Sequence, residues 1–600
     1  MKKLLYPITY ALTAFLILYS CSVEEEDTTP SPQVQQPTPE PEPEPEVSQF
    51  TLTVTAGEGG TVSTEGGTYN EGTEVTITAS PAEGYEFVGW EGIDSNEQSI
   101  IITISEALSI TANYIQLEIE SIEVLNPIES LVISRRHKFQ VQGIYSNGET
   151  IDLTDEIDLV TTDDKITLLD GNEFTAGKSG DTVINISYGN LSISQNFFVN
   201  YYEEILNEFE GEYLTQNSNV AINVPIVIVN FHPTLDGLNI HPGYYPDGAG
   251  LIKWYYYAYH DLDSNQCTNF YPNNPICQET TLNMYKIRAK ELNMFTKFGI
   301  EEGSKFRGAK NMNSSQSINI EVVKYINFYE LGTKNYNRGG AEANIPSPNY
   351  DVLFELINLE NLVNENGVKE VWISLPGPFL PDYNDKLEIN IPESNMSSGL
   401  TGDISNSYRI QNDLPIYNNT YKVFGINLDR GPAEALHNRG HQIEVQLREI
   451  EKDKASMNEL FWNKFVGINN TGKPLNRAGM THFPPNTSKD YDYCNDILLE
   501  SDIMNWIPEG GLNEEVNCET WTSIEYNYPF ETIYWNKFKG IDNISFDSHY
   551  KWLIYWFQSI PGLDNNIPYT KNGTNYTLTN WWDLFYNWDE AITNDKTLWE

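Results

Sequence analysis

The sequence predicts a multidomain fold class: two small all-β modules, then a large α/β domain with a doubly wound, mostly parallel sheet and a helical C-terminal part. Three observations predict it. Between residues 49 and 200, short runs alternate apolar and polar positions and are separated by Gly- and Pro-rich turns, the pattern of half-buried strands. From about 201, near-continuous apolar runs such as AINVPIVIVNF alternate with helical patterns, as strands buried on both faces alternate with crossover helices. The chain also has 600 residues, too many for one hydrophobic core.

The elements follow in chain order. Residues 1–20 read as a signal peptide: Lys2 and Lys3, then an apolar stretch through Leu18. Leu18-Tyr19-Ser20-Cys21 resembles a lipobox, which implies that the Cys21 thiol is acylated and anchors the chain in a membrane leaflet. Glu24-Glu25-Glu26-Asp27 resembles the acidic signal that sends some lipoproteins to the outer surface of the cell outer membrane. Residues 21–48, with PTPEPEPEPE, form a tether that proline stiffness and self-repulsion keep extended. The formal charge of −49 argues against nucleic acid as a partner, because a phosphate backbone needs Lys and Arg.

Residues 49–116 read as the first β module, with FTLTVTA, TEVTITAS, YEFVGWE and SIIITIS as strands. Gly84-Tyr85-Glu86-Phe87-Val88-Gly89-Trp90, then an Ile-rich strand and Thr111-Ala112-Asn113-Tyr114, resemble the divergent internalin-type B-repeat. That resemblance implies a compact spacer or adhesive element with aromatics in its core. Residues 117–200 form the second module. Gln142-Gly143-Ile144-Tyr145-Ser146-Asn147-Gly148 before a Thr/Asp strand resembles a group 2 bacterial immunoglobulin-like domain, which implies a sandwich of the kind used in stalks.

Residues 201–600 carry the functional argument. In a doubly wound sheet the ligand crevice lies beyond the carboxyl ends of the strands. Asn230-Phe231-His232, Ser374-Leu375-Pro376-Gly377 and Asp429-Arg430 would stand there. After the strand-like YKVFGINL, Pro432 opens a helix on which Glu434, His437, His441 and Glu444 recur at spacings of 3, 4 and 3, hence on one face. Two histidines one turn apart suit a divalent, zinc-like metal. His482, on a loop stiffened by Pro484 and Pro485, or Glu444, would complete the ligand set, and Glu434 would be the catalytic base. This is not the H-E-x-x-H motif, because Asn438 stands where its glutamate would be. The bland alternative is two Glu–His pairs on a helix, each contributing about 0.2–0.5 kcal/mol.

Other features weigh less. Ser394 lacks the G-x-S-x-G elbow of a nucleophile. His232 and His549 are isolated histidines, and Trp552, Trp556, Trp581, Trp582 and Trp588 read as core rather than as a sugar-stacking platform. Cys267/Cys277 and Cys494/Cys518 are locally close pairs and predict two disulfides in an oxidising compartment. PESNMSSG, EALHNRGHQIE, THFPPN and NWWDLFYNWD resemble motifs of an uncharacterised extracellular family. That resemblance implies one shared domain architecture and supplies no catalytic residues. Three functions remain: a metal-dependent hydrolase of extracellular polymer or peptide, a non-enzymatic glycan-binding or adhesive protein on a β stalk, and a purely structural surface protein.

Overall fold

A computed structural model describes residues 47–209, 211–216, 220–239, 281–330, 333–335, 346–375, 394–404, 414–428, 431–451, 459–468, 476–485, 487, 489, 491–531 and 546–600. Cys21, Cys267 and Cys277 lie outside them. The chain divides into two compact units, Met1–Leu117 and Glu118–Glu600. No described helix is long and apolar enough to cross a membrane.

In the first unit, alternation does what the sequence predicts. Leu52, Val54, Ile77, Ala79, Trp90, Ile100, Ile102 and Ile110 point inward and are buried, while their neighbours point out. They fill the space between a four-stranded sheet, in which Gln49–Ala56 and Leu108–Gln116 pair in parallel, and a three-stranded one.

The second unit begins with a small β layer over residues 118–200. Three sheets enclose Phe139, Leu153, Phe174, Ile184, Ile186 and Phe197. This layer shares one continuous core with the rest of the unit. Polar contacts reinforce the junction: Arg135 pairs with Glu203 at 2.5 Å, and the Ser179 hydroxyl donates to Glu330 at 2.7 Å.

The largest sheet has six strands: β1 (Tyr202–Glu204), β2 (Ile222–Phe231), β3 (Ile318–Phe328), β4 (Glu370–Leu375), β5 (Ser394–Ser397) and β6 (Tyr421–Asn427). Their order is β1-β3-β2-β4-β6-β5. The four middle strands run parallel, and both edge strands run antiparallel. The expected fold class is therefore corrected. The chain is strand-rich, its described strands fall into nine separate sheets, and among the described residues no large doubly wound parallel α/β domain forms. The physical reason is visible in the edges and the tail. Antiparallel strands stop the parallel register on both sides, and among the described residues after Asn427 none adds a strand to the sheet. The C-terminal third instead makes helices and two-stranded ribbons.

Three helices matter for the site: α1 (Thr281–Gly303), α2 (Pro432–Glu451) and α3 (Phe546–Phe557). They pack on one another. Trp552, Trp556, Trp581, Trp582 and Trp588 are all buried core residues. Two short helices, α4 (Trp581–Tyr586) and α5 (Trp588–Thr593), close the chain.

Candidate functional site

The helix α2 is unusual because it is polar and buried nearly all round. One face is turned to the sheet. Asn438 Nδ2 donates to the Gly425 carbonyl at 2.9 Å, and the Arg439 guanidinium pairs with Glu370 between the rings of Trp372 and Phe424. That leaves the face of His437, His441 and Glu444 to meet a different partner, the loop around His482.

That loop can reach the helix because of Gly440. A Cβ there would stand 2.5 Å from Thr481 Oγ1, so the missing side chain makes room for the Thr481 side chain against the helix. The loop is a tight turn in which Met480 and Phe483 exchange backbone hydrogen bonds at 3.0 Å. The Thr481 N–H donates to Glu444 Oε1 at 2.8 Å, which fixes the turn on the helix. His482 then projects back toward His437 and His441.

The three Nε2 atoms converge. His437 to His441 is 3.0 Å, His441 to His482 is 2.8 Å, and His482 to His437 is 3.0 Å. A ring nitrogen has a single in-plane position, holding either a proton or a lone pair. Three such nitrogens aimed at one point cannot make three good hydrogen bonds with one another. Among the described residues this trio is the one group of ligating side chains close enough to share an ion.

The surroundings fix the rings. His441 Nδ1 lies 3.0 Å from Glu444 Oε2, so its proton sits on Nδ1 and the Nε2 lone pair faces the cluster. Burial opposes ionisation of Glu444, but hydrogen bonds from His441 and Thr481 hold its carboxyl below the ordinary range. The Tyr493 hydroxyl is 3.3 Å from His437 Nδ1, and Trp521 Nε1 donates to the Tyr493 carbonyl at 3.1 Å. Cys494–Cys518 is a disulfide, which ties the loop beside Tyr493 to the segment bearing Trp521. Tyr491, exposed and in the left-handed region at φ 59°, lays its ring 4.3 Å from that of His482. Half-buried His482 and exposed Tyr491 form the outer edge of the cluster, while His437 and His441 are buried.

The predicted residues are distributed as follows. His437, His441 and His482 come together, and Glu444 stands behind His441 on its Nδ1 side. Glu434 is half-buried on the first turn of α2 and is not part of the converging group. Ser394 Oγ donates to Gln442 Oε1 at 2.9 Å, in a buried structural role. His232 is fully buried just after β2 and is not part of the converging group, and burial pushes its ring down to about 3. Residues that sequence reasoning missed are Gly440 and Trp521; Tyr491 and Tyr493 follow the His482 loop closely in the sequence, which places them near the site. His549, weighed there only as an isolated histidine, stacks on Tyr493 with ring centres 3.8 Å apart and lies 5.5 Å from the His437 ring. Burial, with His482 adding, pushes His549 down to about 3. The glycine inside a helical run was the available signal.

Against known proteins, residues 50–117 match the divergent InlB B-repeat domain. No curated protein matches the chain. Among solved structures, domains 4 and 5 of the S-layer protein SbsC align at 12% identity over 21% of this chain and 66% of that one, with a TM-score of 0.13. For SbsC domains 4–9 the chain covers 22% of the structure, again at 12% identity over 24% of this chain, with a TM-score of 0.14. Immunoglobulin domains 1–5 of Sidekick-1 align at 9% identity over 30% of this chain and 41% of that one, with a TM-score of 0.12. Likenesses this slight carry no argument about fold or role.

Proposed function

We propose that this is a surface-displayed binding protein whose large unit holds one divalent, zinc-like ion at His437, His441 and His482. The observation that carries the metal is the mutual approach of three Nε2 atoms, which a shared cation would satisfy and hydrogen bonding would not. With ligand bonds of about 2.0–2.1 Å, the three imidazole nitrogens would be able to share one ion. Glu444 on His441 and Tyr493 on His437 supply the outer contacts that orient metal-bound imidazoles. Display at the surface rests on the B-repeat match and on the lipobox at Cys21 with its acidic neighbours. In that reading the chain is anchored in the outer membrane, and its partners are extracellular glycans or peptides.

A second reading is a metal-dependent hydrolase of extracellular polymer or peptide. It is favoured by the number of ligands, since three protein ligands would leave a position for water, whose pKa a bound ion would lower toward about 7. Neither Glu434 nor Glu444 converges on the trio, so no base is assigned.

The test is metal analysis of the purified full chain. The expected result is one zinc-class ion per chain, lost in His441→Ala with the circular dichroism spectrum unchanged. A chain that is metal-free as isolated and takes up none in dialysis overturns the proposal. A glycan array and a peptide-turnover screen on the loaded protein then separate binding from hydrolysis.

A further inference from the structure

His549 is no member of the converging trio, yet one side chain separates it from His437. It sits on the first turn of α3, half-buried, with Nε2 buried and without a hydrogen-bond partner. Its described contacts are with rings. It lies flat on Tyr493, with ring centres 3.8 Å apart and planes differing by 6°, and edge-on to His437, at 5.5 Å and 84°. The stack on Tyr493, rather than hydrogen bonding, is what this side chain supplies.

Tyr493 is buried, and it joins α3 to the trio. Its carbonyl accepts from Trp521 Nε1 at 3.1 Å, and Trp521 packs on Trp552 with ring centres 5.1 Å apart. His549 and Trp552 are three residues apart on α3, so one helix face holds Tyr493 twice, at its ring and, through Trp521, at its backbone. The Tyr493 hydroxyl, at the far end of the ring, lies 3.3 Å from His437 Nδ1. That distance is near the outer limit of a hydrogen bond, so a small tilt of the ring breaks the contact.

We propose that His549 is a positioning residue of the histidine trio: its stack on Tyr493 keeps the hydroxyl on His437 Nδ1, and so keeps the Nε2 lone pair of His437 aimed at the shared point. The inference rests on reading the trio as an ion site. An imidazole that binds a cation through Nε2 carries its proton on Nδ1, and a fixed acceptor there orients the ring. Glu444, anchored by Thr481, does this for His441. For His437 the acceptor is a neutral hydroxyl on a ring that can swing, and His549 lies flat against that ring.

Chelator competition on the zinc-loaded full chain tests this. His549→Ala should lower zinc affinity about tenfold, the lower end of the range for outer-shell changes, and Tyr493→Phe should lower it equally. The double variant should be no weaker than either single one, because both remove the same contact. His549→Phe keeps a flat ring and should restore the wild-type affinity. Histidine-selective 15N NMR of the metal-free chain reads the positioning without the ion. His437 should hold its proton on Nδ1 in the wild type and in His549→Phe, and should populate both tautomers in His549→Ala. A side chain that only fills space would change the melting temperature and neither of these readouts. Unchanged zinc affinity or an unchanged His437 tautomer in folded His549→Ala, additive losses in the double variant, or equal losses in His549→Phe and His549→Ala would each overturn the role. Where His549→Ala does not fold, unchanged affinity or tautomer in Tyr493→Phe overturns it. A chain that takes up no zinc but shows the tautomer shift sinks the ion reading and leaves the positioning standing.

Discussion

The two faces of α2 are both polar and both buried, and they differ in what they touch. Toward the sheet, Asn438, Arg439 and Gln442 meet fixed protein partners: the Gly425 carbonyl, Glu370, and the Ile404 carbonyl at 2.8 Å. Toward the His482 loop, three ring nitrogens meet one another. The difference teaches how to sort buried polar groups. A group matched to a protein partner is architecture, and its loss should register in stability. A cluster whose members can satisfy one another only through something added is a site, and its loss should register in binding.

The largest effect that could break this contrast is on the sheet side. Both charges of the Arg439–Glu370 pair are fully buried. Arg439→Met leaves the Glu370 carboxylate uncompensated in a low-dielectric interior, which costs about 3–5 kcal/mol. Urea denaturation should find that loss for Arg439→Met and less than about 1 kcal/mol for metal-free His441→Ala. Equal losses would mean that the histidine face is architecture too.

A smaller effect sharpens the other side. Glu444→Gln keeps the shape but removes the charge that holds the His441 proton on Nδ1. Outer-shell changes of this kind typically lower metal affinity 10–100-fold, or about 1.4–2.7 kcal/mol. Competition with a chromophoric chelator would measure it. Affinity unchanged in Glu444→Gln would mean that this carboxylate does not tune the ion. Gly440→Ala comes next. Its methyl meets Thr481 Oγ1 and should push the His482 turn outward, lowering metal affinity about tenfold. Helix propensity favours alanine by about 1 kcal/mol, so stability should hold or rise while binding falls. A variant that loses stability and keeps its metal would reverse the assignment of Gly440.

These variants also mark what could be seen from the chain alone. Helical periodicity made the stripe of Glu434, His437, His441 and Glu444 legible, because the spacing by itself fixes which side chains share a face. The arrival of His482, 41 residues beyond His441, was only a guess. It depends on a two-residue turn and on a missing Cβ at Gly440, neither of which has a periodic signature. The division of labour between Glu434 and Glu444 was not legible either, since both sit on the right side of the helix and only the loop decides which one is engaged. For the fold, strict alternation made the strands of the first module readable from Phe50 to Tyr114. The sheet of the large unit was over-extended. An apolar run such as Ile222–Phe231 reports burial on both faces, and it cannot report how many neighbours the strand has or where antiparallel edges end the parallel register.

A further effect tests the sheet side without touching α2. Lys422, at the start of β6, rests at about 7 in the fold against an ordinary 10.5, because burial disfavours its charge. Below about pH 7 the amine is protonated in both the folded and the unfolded chain, and the fold bears the full cost of the buried charge. Between about 7 and 10.5 the folded chain has released a proton that the unfolded chain still holds. Stability then rises with pH, by at most about 1.4 kcal/mol per unit for one proton. Urea midpoints measured from pH 6.5 to 9.5 should climb in the wild type and climb less in Lys422→Met, whose buried position no longer titrates. Parallel pH curves for the two proteins would show that Lys422 keeps its charge by finding a partner, and would place it with Arg439 as paired architecture.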